Sequence, residues 1–208
     1  MAKRILPYRD YSEHDVVNLF SLDLSSATAA TLAGMVSNES GDFDAGVVVS
    51  VSAGALPGEV SELRAGTSDV LRGYLGASFS GAHIGFNGYP ANTGMTVAPA
   101  AAGSRGLGIT LRETLAFDEN GEKMLYYKQK LDEAQGVLPG QTVPVLTKGL
   151  VLLAAGAISG TVALGDELEV AAGGKLTTKS SGAGVGSVIA IGQESDTTAK
   201  KYLCRVSF

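Results

Sequence analysis

The chain has 208 residues, 45% of them apolar, and a formal net charge of −5; that length buries a core without staples and suits one domain or two small ones. An acidic balance with no polybasic run argues against nucleic-acid binding, which needs a basic face to neutralise phosphates. The single cysteine, Cys204, excludes an intramolecular disulfide and a multi-cysteine metal site.

No apolar stretch follows the early positive charge at the N-terminus, so no signal peptide is expected. The longest apolar run, Leu150 to Ile158 broken by Gly156, is too short to span a bilayer. A chain made in a cytoplasm and kept soluble is the expectation. Glycine accounts for 28 residues, above the usual share of about 7%. The glycines are scattered, which fits an all-β chain that turns often. With no Trp, 7 Tyr and 6 Phe, the core has to be built from Val, Leu, Ile and Ala.

Residues 1–24 stand apart. Lys3, Arg4 and Arg9 alternate with Ile5, Leu6, Tyr8 and Tyr11, and Pro7 disfavours a helix through its predecessors. Ser12 is placed to cap a short helix from Glu13, with Asp15 favourable in its first turn. The stretch continues through Val16, Leu19 and Phe20. It reads as an extended arm that lies on a partner, ahead of the alternative that it packs on its own domain as an edge strand. Lys3, Arg4, Ile5, Leu6, Tyr8, Arg9, Tyr11, Val16, Leu19 and Phe20 are the expected partner-binding residues.

Residues 25–135 read as a β-rich region with long loops. Ser25 to Ser37 is undecided between a helix and weak strands. Asn38 to Asp42 is a turn cluster. Ala45 to Ser52 is a β-branched strand without period 2, which predicts burial on both faces. Pro57 to Gly73 leaves room for a short helix, and residues 74–106, rich in Gly, Ala, Ser, Asn and Pro, read as a long exposed loop. Leu107 to Arg112 alternates as a strand. Thr114 to Lys128, with Asn120-Gly121 between two strand-like runs, reads as a hairpin. Lys128 to Gln135 allows one helical turn.

Residues 136–208 read as a small β-barrel region. Six strands are expected, at 142–147, 149–153, 160–163, 167–171, 185–191 and 201–208, with turns at Gly165-Asp166, Gly173-Gly174 and Gly182 to Gly184. In the last strand Tyr202, Cys204, Val206 and Phe208 share one face, which makes Cys204 a core residue.

Nothing in this pattern is set up for catalysis. His14 and His83 have no second ligand at metal-binding spacing. Gly182 to Ser187 and Gly103 to Gly108 lack the Lys-Ser/Thr ending of a phosphate loop. The carboxylate pairs Asp118/Glu119, Asp132/Glu133 and Asp166/Glu167 read as solvated loops, and Asp42-Phe43-Asp44 lacks a third carboxylate at calcium-loop spacing. No enzyme, cofactor or metal is expected.

The segment Gly140-Gln141-Thr142-Val143-Pro144-Val145-Leu146-Thr147-Lys148-Gly149 is followed by Gly-Asp-Glu at Gly165 to Glu167. After it come a Gly-Gly-Lys-Leu hairpin at Gly173 to Leu176 and a Val-Gly-Ser-Val-Ile-Ala-Ile-Gly strand at Val185 to Gly192. This order resembles the capsid decoration, or cement, proteins of tailed phages, and the Phe117 to Lys123 hairpin and the Lys3 to Tyr11 start resemble cyanophage-type structural proteins. The resemblance implies an all-β fold, a small β-barrel or β-sandwich of the β-tulip kind with an extended N-terminal arm. It implies a non-enzymatic homotrimer on the outside of a phage head that bridges neighbouring major capsid subunits, and neither nucleic acid nor membrane as partner. A head fibre or tail part is the alternative within the virion. A carbohydrate-binding module using Tyr74, Phe79, Phe86 and Tyr89 is the alternative outside it.

Overall fold

The computed structural model describes residues 4–23, 44–54, 95–118, 120–193 and 199–208. They form an all-β structure of two six-stranded sheets and one two-stranded sheet. The first sheet holds β1 (Ile5–Asp10), β10 (Lys148–Ala154), β11 (Glu167–Ala171), β12 (Lys175–Thr178), β13 (Gly186–Gln193) and β14 (Lys200–Ser207), in the order β1-β10-β14-β13-β11-β12. The second holds β2 (Val16–Val17), β3 (Ser21–Leu22), β4 (Val48–Gly54), β5 (Met95–Pro99), β6 (Gly108–Thr110) and β9 (Val145–Leu146), in the order β2-β9-β6-β4-β5-β3. Among the described residues neither closes into a barrel; the arrangement is that of a sandwich.

The core lies between these two sheets. Val151, Leu153, Leu168, Tyr202, Cys204 and Val206 from the first meet Val48, Ile109 and Leu146 from the second in one buried cluster. A second cluster, Phe20, Val47, Val49, Val97 and Val145, covers the opposite face of β4 and its neighbours. Val47, Val48 and Val49 are therefore all buried, as the unbroken β-branched run predicts. Val51 is half exposed where the strand leaves this double cover.

The second sheet draws strands from residues 1–24, 25–135 and 136–208, and the first from residues 1–24 and 136–208. β9 pairs with β2 and with β6, while β10 pairs with β1 and with β14. Residue 136 marks no packing boundary. Gly136–Val137 is itself a strand, β8, paired in parallel with β7 (Glu113–Thr114). That small sheet carries a third cluster of Leu115, Met124 and Leu131, the last on α1 (Lys128–Glu133).

Several expected elements differ. The expected long loop of 74–106 contains β5, and its residues 74–94 lie outside the described ones. The Ser25 to Ser37 segment and the Pro57 to Gly73 segment lie outside them as well. The Asn120-Gly121 turn forms, with Gly121 at φ 80° and a bridge between Phe117 and Lys123. Its second arm is a 3-10 helix, Met124–Tyr126, because Met124 turns into the third cluster. The 160–163 strand does not form: the Ala163 N–H is taken by the Asp166 carboxylate, and Ser159 N–H reaches the Leu176 carbonyl.

Candidate partner-binding face

The N-terminal segment is extended, as expected, and it lies on its own domain. β1 is the edge of the first sheet, antiparallel to β10 with Ile5 opposite Leu153 and Arg9 opposite Val151. After Asp10 the chain crosses to the second sheet. Ser12 caps a 3-10 helix, Glu13–Asp15, by accepting the His14 N–H. Thr147 then donates its N–H and its hydroxyl to the Asp15 carbonyl, each at 2.8 Å, and the Val143 N–H reaches the Phe20 carbonyl. Residues 4–23 thus stitch one sheet to the other, which is the edge-strand alternative.

This placement sorts the ten expected partner-binding residues. Lys3 lies outside the described residues. Ile5 and Phe20 are buried core residues. Arg4 is buried too, 5% exposed, and its Nη1 donates to the Gly173 carbonyl at 3.0 Å while Nε has no partner. These three serve the domain's interior, because hydrophobic burial and a backbone acceptor claim them first. Leu6 and Val16 are half-buried. Tyr8, Tyr11 and Leu19 are exposed at 53%, 38% and 57%. Arg9 is half-buried and donates from Nη1 to the Leu111 carbonyl at 3.2 Å.

Two hollows flank β1. The larger, about 530 Å³, runs beside β1, between Ile5, Leu6 and Arg9 on one side and Leu111, Glu133 and Gln135 on the other. The smaller, about 220 Å³, lies at the strand's end between Tyr11, Asp15, Lys148 and Arg205. There Gly149 permits the approach, since a Cβ on it would come within 2.8 Å of the Tyr11 Cβ.

Sequence reasoning did not reach the far wall of the larger groove. Gln135 sits at φ 54°, the only non-glycine with positive φ among the described residues. It follows the end of α1, where a left-handed residue is usually Gly or Asn. The glycine stands one position later, because a Cβ on Gly136 would meet Leu115 at 2.8 Å and Leu131 at 3.0 Å. A helix end with its glycine displaced by one is the signal that could have marked the spot.

Among the described residues no group of three His, Cys, Asp or Glu side chains could hold a metal ion. His83 and the aromatic residues of the carbohydrate alternative lie outside those residues, as do Asp42 and Phe43. Asp118 is not a solvated loop carboxylate: it is 1% exposed and accepts the N–H groups of Asn120 and Glu122. Glu169 accepts the N–H groups of Ser181 and Gly182 and the Ser180 hydroxyl, which organises the Gly182 turn. Cys204 is fully buried, and burial pushes its thiol up to about 12. Its thiolate is suppressed, so it is no nucleophile. Compared with known protein families, with curated proteins and with solved structures, the chain matches none.

Proposed function

We propose that this chain is a non-enzymatic structural protein of a tailed-phage virion, which binds the outside of the head as a homotrimer and cements neighbouring major capsid subunits. The observation that carries the reading is the display of Tyr8, Tyr11 and Leu19 on one N-terminal segment whose neighbours Ile5 and Phe20 are anchored in the core. Tyrosines held on a rigid edge supply contact area with little ordering entropy left to lose, which suits a static clamp. The resemblance to decoration proteins supports it, and so does the acidic chain, which fits the outer side of a shell rather than its DNA side. A clamp that binds only the assembled lattice stabilises it by mass action, multiplied over many copies.

The test is co-sedimentation of the purified full chain with expanded tailed-phage heads that lack decoration. Binding at hundreds of copies per head, lost in a Tyr8→Ala/Tyr11→Ala/Leu19→Ser variant that still folds, is the expected result. A handful of copies per particle points to a fibre or tail part instead. No binding at all removes the virion reading.

A further inference from the structure

Three features converge on the groove beside β1. On its near wall, β1 bulges: the four-residue step from Ile5 to Arg9 faces a two-residue step from Leu153 to Val151. Bulges re-aim side chains and gather next to binding sites. On its far wall stands Gln135 in a left-handed conformation, a strain that persists only where surroundings hold it and that clusters at ligand clamps. Arg9 lines the same groove, with Nη1 bound to the Leu111 carbonyl and Nε lacking any acceptor. A polar group left unpaired in a folded protein calls for an explanation.

The groove's volume, about 530 Å³, falls within the range of about 300–1,000 Å³ that ligand sites occupy. Ile5, Leu6, Ala45 and Leu111 give it an apolar floor. One wall is β1, the outermost strand of its sheet among the described residues, and an edge strand can accept an added strand through main-chain hydrogen bonds. Pro7, which also lines the groove, removes one N–H from that edge. It thereby guards against indiscriminate sheet growth and leaves only a limited register.

Charge chooses among occupants. Glu133 is exposed and Glu113 buried, and both line the groove with Arg9. Two carboxylates on a chain of net charge −5 disfavour a free anion, however much Arg9 would welcome one. A neutral carbonyl satisfies the guanidinium without that repulsion, and a cation satisfies Glu133. A peptide backbone bearing one basic side chain offers both.

We propose that this groove receives an extended segment of a partner protein, laid as an added strand along β1, with an apolar side chain on the floor and a Lys or Arg opposite Glu133. Arg9 turns inward on occupancy to donate to a carbonyl of the added strand. The inference does not rest on the virion reading: it concerns a peptide groove, whatever assembly supplies the peptide.

The probe is a display library of random linear decapeptides selected on the folded full-length chain, with the winners measured by fluorescence anisotropy. Enrichment of β-branched or apolar peptides carrying Lys or Arg is expected. Glu133→Lys, on the exposed end of α1, should weaken the best peptide at least tenfold, and the same peptide with Lys or Arg replaced by Glu should recover binding to that variant. Arg9→Lys should weaken the best peptide while the melting temperature is followed in parallel. The proposal is overturned if no peptide is enriched, if acidic peptides win, or if the winners bind Glu133→Lys and Arg9→Lys as tightly as the wild type.

Discussion

Lys130 Nζ donates to Asp118 Oδ2 at 2.5 Å, and Asp118 is all but removed from solvent. That contact ties the Asn120-Gly121 turn to the middle of α1. The carboxylate sits below its ordinary pKa of 3.8, chiefly because of the Lys130 hydrogen bond, with the Glu122 and Asn120 N–H groups adding to it against the opposing effect of burial. Asp118→Asn should keep the turn's shape yet lose the ion pair, lowering the melting temperature by several degrees at pH 7. Differential scanning calorimetry reads it.

The sign of the pH effect follows from the direction of the shift. Glu169 is also depressed below its ordinary 4.5, first by the Gly182 N–H and then by the Ser180 hydroxyl. A depressed folded pKa contributes stability above the unfolded value, and that contribution fades as pH falls through the folded one. Wild-type melting temperature should therefore drop below pH 4.5 more steeply than that of Asp118→Asn combined with Glu169→Gln. Equal acid slopes would remove both carboxylates from the account. At neutral pH, Glu169→Gln should also speed amide exchange at Gly182, whose N–H it holds at 2.6 Å.

Cys204 predicts the opposite arm of the curve. Its thiol stays protonated to about 12 in the fold against an ordinary 9.0. A raised folded pKa contributes stability that is complete below the unfolded value and lost as pH climbs from 9 toward 12. At about 1.36 kcal/mol per pH unit the loss reaches about 4 kcal/mol. Cys204→Ala should lack this component, seen as a shallower alkaline slope in urea titrations. The native thiol should resist a disulfide exchange reagent that labels the unfolded chain at once.

The N-terminal segment distinguishes a structural strand from a detachable arm. Ile5→Ala should cost about 2–5 kcal/mol, as for a core truncation. Tyr8→Ala should stay within about 0.5 kcal/mol. A detachable arm would show no penalty at Ile5 either, and removing residues 4–23 would leave a folded remainder. The interlocked sheets predict that this truncation fails to fold.

Neighbouring glycines at one turn should behave differently. Gly173 has φ 69° and open space where a Cβ would go, so Gly173→Ala costs only the left-handed conformation, about 1–2 kcal/mol. At Gly174, φ is 63° and a Cβ would lie 2.6 Å from the Val48 carbonyl oxygen and collide with Val47. Strain and overpacking together predict a loss of about 3 kcal/mol or more.

What the sequence disclosed follows physical range. Strands with period-2 alternation and glycine turns, such as Glu167–Ala171 and Lys200–Ser207, were legible because the signal is local. β5 was hidden, since Ala98 and Pro99 are poor strand formers recruited by pairing with β4 and β3. β12 was masked by its polarity: Leu176 alone is buried there. The exposed tyrosines were legible as surface candidates. That Arg4, Ile5 and Phe20 point inward was not, because their partners, Gly173 for Arg4 and Leu153 opposite Ile5, lie far along the chain.

The strand order of the first sheet bears on how the molecule is born. β14 lies between β10 and β13, so an interior strand of this sheet comes later in the sequence than both strands it joins. Until residue 207 has emerged, β10 and β13 have no common neighbour, and the edges that β14 will join stay open. The nascent chain thus carries open strand edges between the emergence of β10 and that of β14, the condition under which chains aggregate or recruit chaperones.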